Sequence, residues 1–278
     1  MQTESSLSKD SAVAFIAGGG HFPHIIAQRC NDPLIIGIKG QAEAGLYEGM
    51  RYQELSLGQL GKLIKLLKQH HIQYLCLIGS IRRPDFSELK FDLEGAALAA
   101  KAGLKTIMSN AGDDGVLRLI RQIIEDQGVR LIGAHLIAPD VLLKAGALTS
   151  KKPSAQNLKD IERGFAVAET LGAVDVGQAV VVENGVVLGV EAVEGTDGLL
   201  ERCAPLMRKK KAAVLIKRLK PGQDPDLDMP ALGLKTMENL QKFGYAGVSG
   251  LAGHTIIAYE QAMVDYAKQH GLFIYGYK

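Results

Sequence analysis

Short apolar runs alternate with amphipathic stretches through the first half of the chain, and that alternation limits the fold more than any other feature. AVAFIAGG, PLIIGI, YLCLIG and VRLIGAH are brief, rich in Val, Ile and Leu, and bounded by Gly or polar residues, the pattern of strands buried on both faces. Between them, Leu57, Leu60, Leu63, Ile64 and Leu67 recur at helical spacing and stop near His70. Leu117, Ile120, Ile123 and Ile124 do the same up to Gly128. Strands alternating with helices predict an α/β fold built on a parallel, doubly wound sheet.

The texture changes after the polar, basic stretch LTSKKPSAQN, which Pro153 interrupts. QAVVVENGVVLGVEA reads as a hairpin, because Asn184-Gly185 between two valine-rich runs favours a type I′ turn. AAVLIKRL is a further strand, a helical pattern runs from Leu234 to Phe243, and two short strands flank a helix near Glu260. The expected organisation is a Rossmann-like N-terminal domain over 1–136, a linker region over 137–157 and a C-terminal α/β catalytic domain over 158–278, which holds the candidate catalytic residues Lys217, Lys220 and Asp224.

A chain of 278 residues with 47% hydrophobic and 22% charged residues can build cores of that number. Its net charge of +2 supplies no bulk field for nucleic acid, so no nucleic-acid partner is expected. Cys30, Cys76 and Cys203 form no CxxC pair, which argues against a thiolate zinc site and suits a reducing compartment. Cys76, inside YLCLIG, reads as a small buried hydrophobe. His70-His71 closes a helix, while His135 and His254 stand alone beside strands. With no HExxH and no GxSxG, zinc-protease and nucleophile-elbow esterase chemistry are disfavoured. The N-terminus MQTESSLSKDS lacks the apolar stretch of a signal peptide, and no apolar run approaches the ~18–20 residues needed to span a bilayer. A lipid would therefore be handled from the aqueous side, and Arg208-Lys209-Lys210-Lys211 reads as a solvated patch.

Several segments offer a site, each with a plainer structural reading. The first strand runs into Gly18-Gly19-Gly20-His21-Phe22-Pro23 and then a helix, where Gly19 and Gly20 could let backbone amides approach a phosphate. The plainer reading is a tight strand-to-helix turn. A nicotinamide fold is disfavoured, because the last glycine of GxGxxG is missing and PLIIGI ends in Lys39 rather than an acid. Arg82 and Arg83 follow the strand YLCLIG and either hold phosphate or pair with Asp85 in a solvated loop. Asp113 and Asp114 precede a helix expected from about Gly115, where one of them serves as a cap. In EAVEGTDG, Thr196 is a candidate N-cap; alternatively the helix start binds phosphate while Glu194 and Asp197 bind a cation.

The densest signal is KRLKPGQDPDLDMP, from Lys217 to Pro230. Pro221, Pro225 and Pro230 exclude helix and restrain the loop. If it stays extended, Asp224, Asp226 and Asp228 share one side, ~6.6–6.8 Å apart along the chain. They would lie just past a strand bearing Lys217 and Lys220. Mutual neutralisation at the surface is the plainer alternative.

The ordered set IAGGGHFP, GSIRRPD, GDDGVLR, LGAVDVGQAVVVENG, AVEGTDGLL and KPGQD resembles the LpxI family of UDP-2,3-diacylglucosamine pyrophosphatases, from about Ala12 to Tyr277. The resemblance implies a Rossmann-like N-terminal domain and a C-terminal domain of its own fold, with substrate clamped between them. It implies Mg²⁺-dependent hydrolysis of UDP-2,3-diacylglucosamine to UMP and 2,3-diacylglucosamine 1-phosphate (lipid X) in lipid A synthesis. Asp224 carries over as the critical catalytic residue and a Mg²⁺ ligand, with Asp197 and Glu194 as further metal candidates. Lys217 and Lys220 would neutralise the pyrophosphate, and Gly19, Gly20, Arg82, Asp113, Asp114, Gln178, Thr196 and Gln223 would face substrate. One departure is Asp226, where the family's pattern is usually basic. The expected setting is cytoplasmic, peripheral to the inner membrane, with a homodimer among the assemblies allowed. A nucleotide-dependent oxidoreductase and a non-catalytic nucleotide-sugar regulator are the alternatives to hydrolysis.

Overall fold

The computed structural model describes residue 7 and residues 10–81, 91–101 and 113–278. The chain divides into two compact units, one of Met1–Pro139 with Asp226–Asp228 and the other of Asp140–Pro225 with Met229–Lys278.

Unit 1 follows the strand–helix alternation. Its strands are β1 (Val13–Ala17), β2 (Leu34–Ile38), β3 (Arg51–Leu55), β4 (Tyr74–Ile78) and β5 (Arg130–Leu131). They pair in parallel in the order β3-β2-β1-β4-β5. Every residue of β1 and β2 is buried, as their unbroken apolar runs require. The helices are α1 (Phe22–Ala27), α2 (Leu60–Gln69), α3 (Leu93–Lys101), α4 (Asp113–Glu125) and α5 (Ala134–Ile137). Leu60, Leu63, Ile64 and Leu67 of α2 enter one apolar cluster with Leu34, Ile36, Leu75 and Leu131. That cluster also contains Leu227, which arrives from the far part of the sequence. The strand order reverses between β1 and β4, and the carboxyl ends of such neighbours are where doubly wound sheets collect ligands.

Unit 2 has a six-stranded mixed sheet in the order β6-β13-β11-β9-β7-β8 and a separate two-stranded pair, β10-β12. The strands are β6 (Gly146–Ala147), β7 (Ala179–Glu183), β8 (Val186–Val190), β9 (Val214–Lys217), β10 (Ala231–Leu232), β11 (Gly247–Leu251), β12 (Ile256–Ile257) and β13 (Phe273–Tyr277). Alternation along β7 divides the core by face. Val180 and Val182 pack with Ile161, Phe165 and Ala168 of α6 (Ala155–Gly172). Ala179 and Val181 pack with Leu199, Met237 and Met263 of α7 (Gly195–Cys203), α8 (Leu234–Phe243) and α9 (Glu260–His270). The β7–β8 hairpin turns at Asn184 (φ 50°) and Gly185 (φ 78°), both positive as type I′ requires. The buried carboxylate of Asp160 on α6 accepts both of that turn's amides.

The stretch expected to link two domains is structured in part. It contains β6, paired with β13, and Ser154, which caps α6 in a capping box with Asn157. Among the described residues no helix is long and apolar enough to cross a membrane.

Candidate functional site

The loop singled out from its prolines is built from two turns rather than one extended rod. In Lys220-Pro221-Gly222-Gln223, proline sits at the second position, Gly222 has φ 75° at the third, and the Gln223 amide donates to the Lys220 carbonyl at 3.0 Å. These are the features of a type II turn, which needs positive φ at its third residue. Gln223 closes it a second time, since its Oε1 accepts the Lys220 amide at 3.1 Å and the side chain is 7% exposed. The carboxamide assigned from sequence to substrate thus holds the turn's shape. Gly172, at the end of α6, lets the turn approach, because a Cβ there would lie 2.9 Å from Pro221 Cδ.

Asp224 follows this turn, half-buried, and a second turn at Pro225–Leu227 comes next. The fixed φ of proline favours that second turn, which breaks the two-residue alternation placing Asp224, Asp226 and Asp228 on one side. Asp226 instead belongs to unit 1. Its Oδ1 accepts the Gly133 amide at 2.9 Å and lies 3.7 Å from His135 Nε2, while Oδ2 lies 3.7 Å from Arg121 Nη2. His135, expected to stand alone, therefore has an acidic neighbour.

Lys217 ends β9, paired with Ala179 on one side and Gly250 on the other, and is only 7% exposed. Its Nζ donates to the Ala231 carbonyl at 3.3 Å. Lys220 reaches Asp175, with Nζ 2.6 Å from Oδ1. Both lysines belong to the same short run of sequence as Asp224.

Gln178 and Thr196 are joined through Glu191, which is 7% exposed. Glu191 Oε2 accepts the Gln178 amide at 3.3 Å, and its Oε1 accepts the Thr196 hydroxyl at 2.8 Å. The Gln178 carbonyl in turn accepts the Arg218 amide at 2.9 Å. Gln178 Oε1 is buried with no hydrogen-bond partner among the described residues. Thr196 lies inside α7, whose N-cap is Glu194, so it is not the cap. Having given its only proton to Glu191, the hydroxyl is left as an acceptor, suited to a cation or a donor rather than to a phosphate oxygen.

The other two acids proposed from sequence for metal are engaged elsewhere. Glu194 Oε1 receives both Arg202 Nε (2.9 Å) and Nη2 (2.8 Å), and its Oε2 accepts the Ala192 amide. Its own backbone amide and then the Arg202 fork hold its carboxyl below the ordinary value. Asp197 bridges to α8, with Lys235 Nζ at 2.7 Å and Asn239 Nδ2 at 2.8 Å. Among the described residues no three His, Cys, Asp or Glu side chains form a metal-holding group.

In unit 1 two amides of the glycine turn go to the end of β4 and the residues just past it. Gly18 N–H donates to Ile78 O at 2.9 Å and Gly19 N–H to Ser80 O at 2.8 Å. A Cβ on Gly18 would lie 2.5 Å from Ser80 O, so close packing of two backbones already requires glycine there. Gly20, at φ 87°, has open space around it, and α1 begins at Phe22 with no side-chain cap at His21. Arg82 lies outside the described residues. Helix α4 starts at Asp113, two residues before the expected Gly115, so Asp113 and Asp114 form its first turn; their side chains also lie outside what is described.

Sequence reading missed Glu191, Asp175 and the anchoring of Asp226. Asp175 and Glu191 lie inside segments singled out from sequence, LGAVDVGQAVVVENG and EAVEGTDG, but only tertiary structure shows them meeting Lys220 and Thr196.

Comparison with known proteins agrees with this layout. A profile of the LpxI N-terminal domain matches residues 12–141, and one of the LpxI C-terminal domain matches residues 144–275. The UDP-2,3-diacylglucosamine pyrophosphatase LpxI of Caulobacter vibrioides is 32% identical over 276 residues, covering 95% of this chain and 96% of the relative. With both halves matched in order and nearly end to end, the chain belongs to the LpxI family.

Proposed function

We propose that this protein hydrolyses the pyrophosphate of UDP-2,3-diacylglucosamine, releasing UMP and 2,3-diacylglucosamine 1-phosphate on the route to lipid A. The observation that carries the reading is the full-length similarity to a pyrophosphatase of that name, joined to a Lys220–Gln223 turn closed by two hydrogen bonds immediately before Asp224. An anionic pyrophosphate repels its nucleophile, so catalysis needs fixed positive charge on the non-bridging oxygens and a carboxylate to orient water.

In this reading Asp224 orients the attacking water or takes its proton, and Lys217 and Lys220 face the pyrophosphate. Lys220 would exchange its Asp175 partner for a phosphate oxygen when substrate arrives. Water adds to the sugar-side phosphorus, the bond to the bridging oxygen breaks, and UMP leaves. Mg²⁺ suits this donor set, because that ion is commonly held by one or two carboxylates plus phosphate oxygens and water rather than by a protein cage. Asp224 would supply the carboxylate and Thr196 an acceptor oxygen, and the ion when bound would neutralise charge on the phosphates. Glu194 and Asp197 would first have to release Arg202 and Lys235. Action on a lipid substrate places the protein at a membrane surface as a peripheral visitor.

UMP release from UDP-2,3-diacylglucosamine in detergent micelles, with and without EDTA, tests the reaction and the ion together. No UMP from the metal-replete protein removes the function, and EDTA-insensitive release removes the ion. In ¹⁸O-water the label should enter the lipid phosphate, and label in UMP would reverse the site of attack.

A further inference from the structure

We infer that Glu191 is a positioning residue that fixes both the place of the Thr196 hydroxyl and the direction of its hydrogen bond, so that α7 offers a divalent cation an acceptor oxygen. The inference rests on the hydrolysis proposed above and on the place of Thr196 in it. Every residue it uses belongs to unit 2.

Glu191 directly follows β8, and its backbone is fixed on both sides. Its amide donates to the Ala179 carbonyl at 2.8 Å, one step beyond the Val180–Val190 pair of the hairpin. Its carbonyl oxygen lies so close to Gly177 that a Cβ there would collide with it. The buried carboxylate accepts the Gln178 amide at 3.3 Å and the Thr196 hydroxyl at 2.8 Å. Neither donor is charged, so among the described residues this acid is kept by hydrogen bonds rather than by an ion pair. Asp160, the other buried acid clasping the hairpin, meets N–H donors alone, from Gln156, Asn184 and Gly185. Glu191 differs in meeting a hydroxyl, a group that can give or take a hydrogen. A carboxylate only accepts, which obliges Thr196 to donate and leaves its lone pairs as acceptors. Thr196 is the second residue of α7, and a hydroxyl near a helix start is a recurring ligand of phosphate-bound Mg²⁺.

Glutamine at this position would keep the shape and invert the polarity. It has one accepting oxygen and one donating NH₂ where the carboxylate has two acceptors. The Gln178 backbone amide can only donate, so it takes the oxygen. The NH₂ then donates to Thr196, whose own hydrogen turns outward against a cation. Both contacts survive, but the acceptor is lost.

The test titrates Mn²⁺, in place of Mg²⁺, into the metal-free protein with UMP present, and reads free Mn²⁺ by electron paramagnetic resonance. Losing the group behind a metal ligand typically costs ~10–100-fold in affinity or activity. Glu191→Gln should therefore weaken Mn²⁺ binding by about 10-fold or more, and the Mg²⁺ concentration for half-maximal UMP release should rise by the same order. Thermal melting should show the variant folded at the assay temperature. Thr196→Ser keeps a hydroxyl and should bind Mn²⁺ as the parent does, whereas Thr196→Val should lose at least as much as Glu191→Gln. Because Glu191 acts through Thr196, the double variant of Glu191→Gln and Thr196→Val should bind no more weakly than Thr196→Val alone. Parental Mn²⁺ affinity in Glu191→Gln overturns the inference, as do losses that add in the double variant, a loss that matches the unfolded fraction, or a parent protein that holds no Mn²⁺. UMP release by the parent separates the two layers. If there is none, the hydrolysis itself fails; if release is normal and Glu191→Gln has the parental Mn²⁺ affinity, only the role of Glu191 fails.

Discussion

Gly18→Ala discriminates between two reasons for the glycine turn after β1, backbone packing and ligand approach. An added Cβ would lie 2.5 Å from Ser80 O, 2.9 Å from Ser80 C and 3.0 Å from Gly79 C. Ordinary contact begins at 3.4 Å, so 3.4 − 2.5 leaves 0.9 Å for the backbone to retreat. Backbone cannot rotate away as a side chain could. The retreat would pull on Gly18 N–H to Ile78 O and on the reciprocal pair between Gly19 and Ser80 (2.8 and 3.1 Å). Overpacking of this kind costs ~1–3 kcal/mol, and the three hydrogen bonds are stretched rather than broken, for a total of roughly 2–4 kcal/mol. For a domain of this size that lowers the melting midpoint by about 5–15 °C in scanning calorimetry. Gly20→Ala is the control. It meets no atom within 4 Å and suffers only from its φ of 87°, worth about 1–2 kcal/mol. Gly18→Ala should therefore be the more damaging. A Gly18→Ala protein that melts normally yet binds UMP poorly would refute the packing account.

The buried Asp160 carboxylate accepts the Asn184 amide at 2.9 Å and the Gly185 amide at 2.6 Å, so Asp160→Ala should lower stability by about 3 kcal/mol, measured by urea denaturation. Equal stability would mean that the hairpin needs no such clamp. Burial alone would raise the Asp92 carboxyl, but amides of Gly61, Lys62 and Gly95 outweigh it and hold the value below the ordinary one. Its contribution is then complete above its unfolded value near ~3.9 and is lost as pH falls through the lower folded value. Asp92→Asn should accordingly be less stable near neutrality and show a shallower loss on acidification, while an unchanged acid profile would contradict this. Cys76 and Cys203 are fully buried, and burial raises both thiols; burial also lifts half-buried Cys30 to about 11. Thiol reagents at pH 8 should label the folded protein slowly, at Cys30 first, and rapid labelling of Cys76 would show that β4 opens.

The fold was legible where one physical signal dominated. Fully buried β1 and β2 announced themselves as unbroken apolar runs, and Asn184-Gly185 marked its turn because few other pairs take positive φ twice. β3 was missed because Arg51–Leu55 is an edge strand exposing Gln53 and Glu54 and lacks an apolar signature. VRLIGAH was read as one strand, yet only Arg130 and Leu131 pair before the chain turns into α5. At the site, the loop from Lys217 to Pro230 was recognisable as restrained from its three prolines, whereas the turn at Pro221-Gly222 and its closure by the Gln223 side chain required structure. Partners distant in sequence, such as Asp226 with Gly133 or Lys220 with Asp175, leave no local pattern at all.

The most direct measurement is single-turnover release of UMP from UDP-2,3-diacylglucosamine by the parent protein and by Asp224→Ala, beside equilibrium binding of the same lipid. The parent should release UMP and lipid X in equal amounts, and the variant should bind substrate but fall at least ~10²-fold behind in rate. Turnover by Asp224→Ala at the parental rate, or binding by the parent without any UMP, would contradict the account.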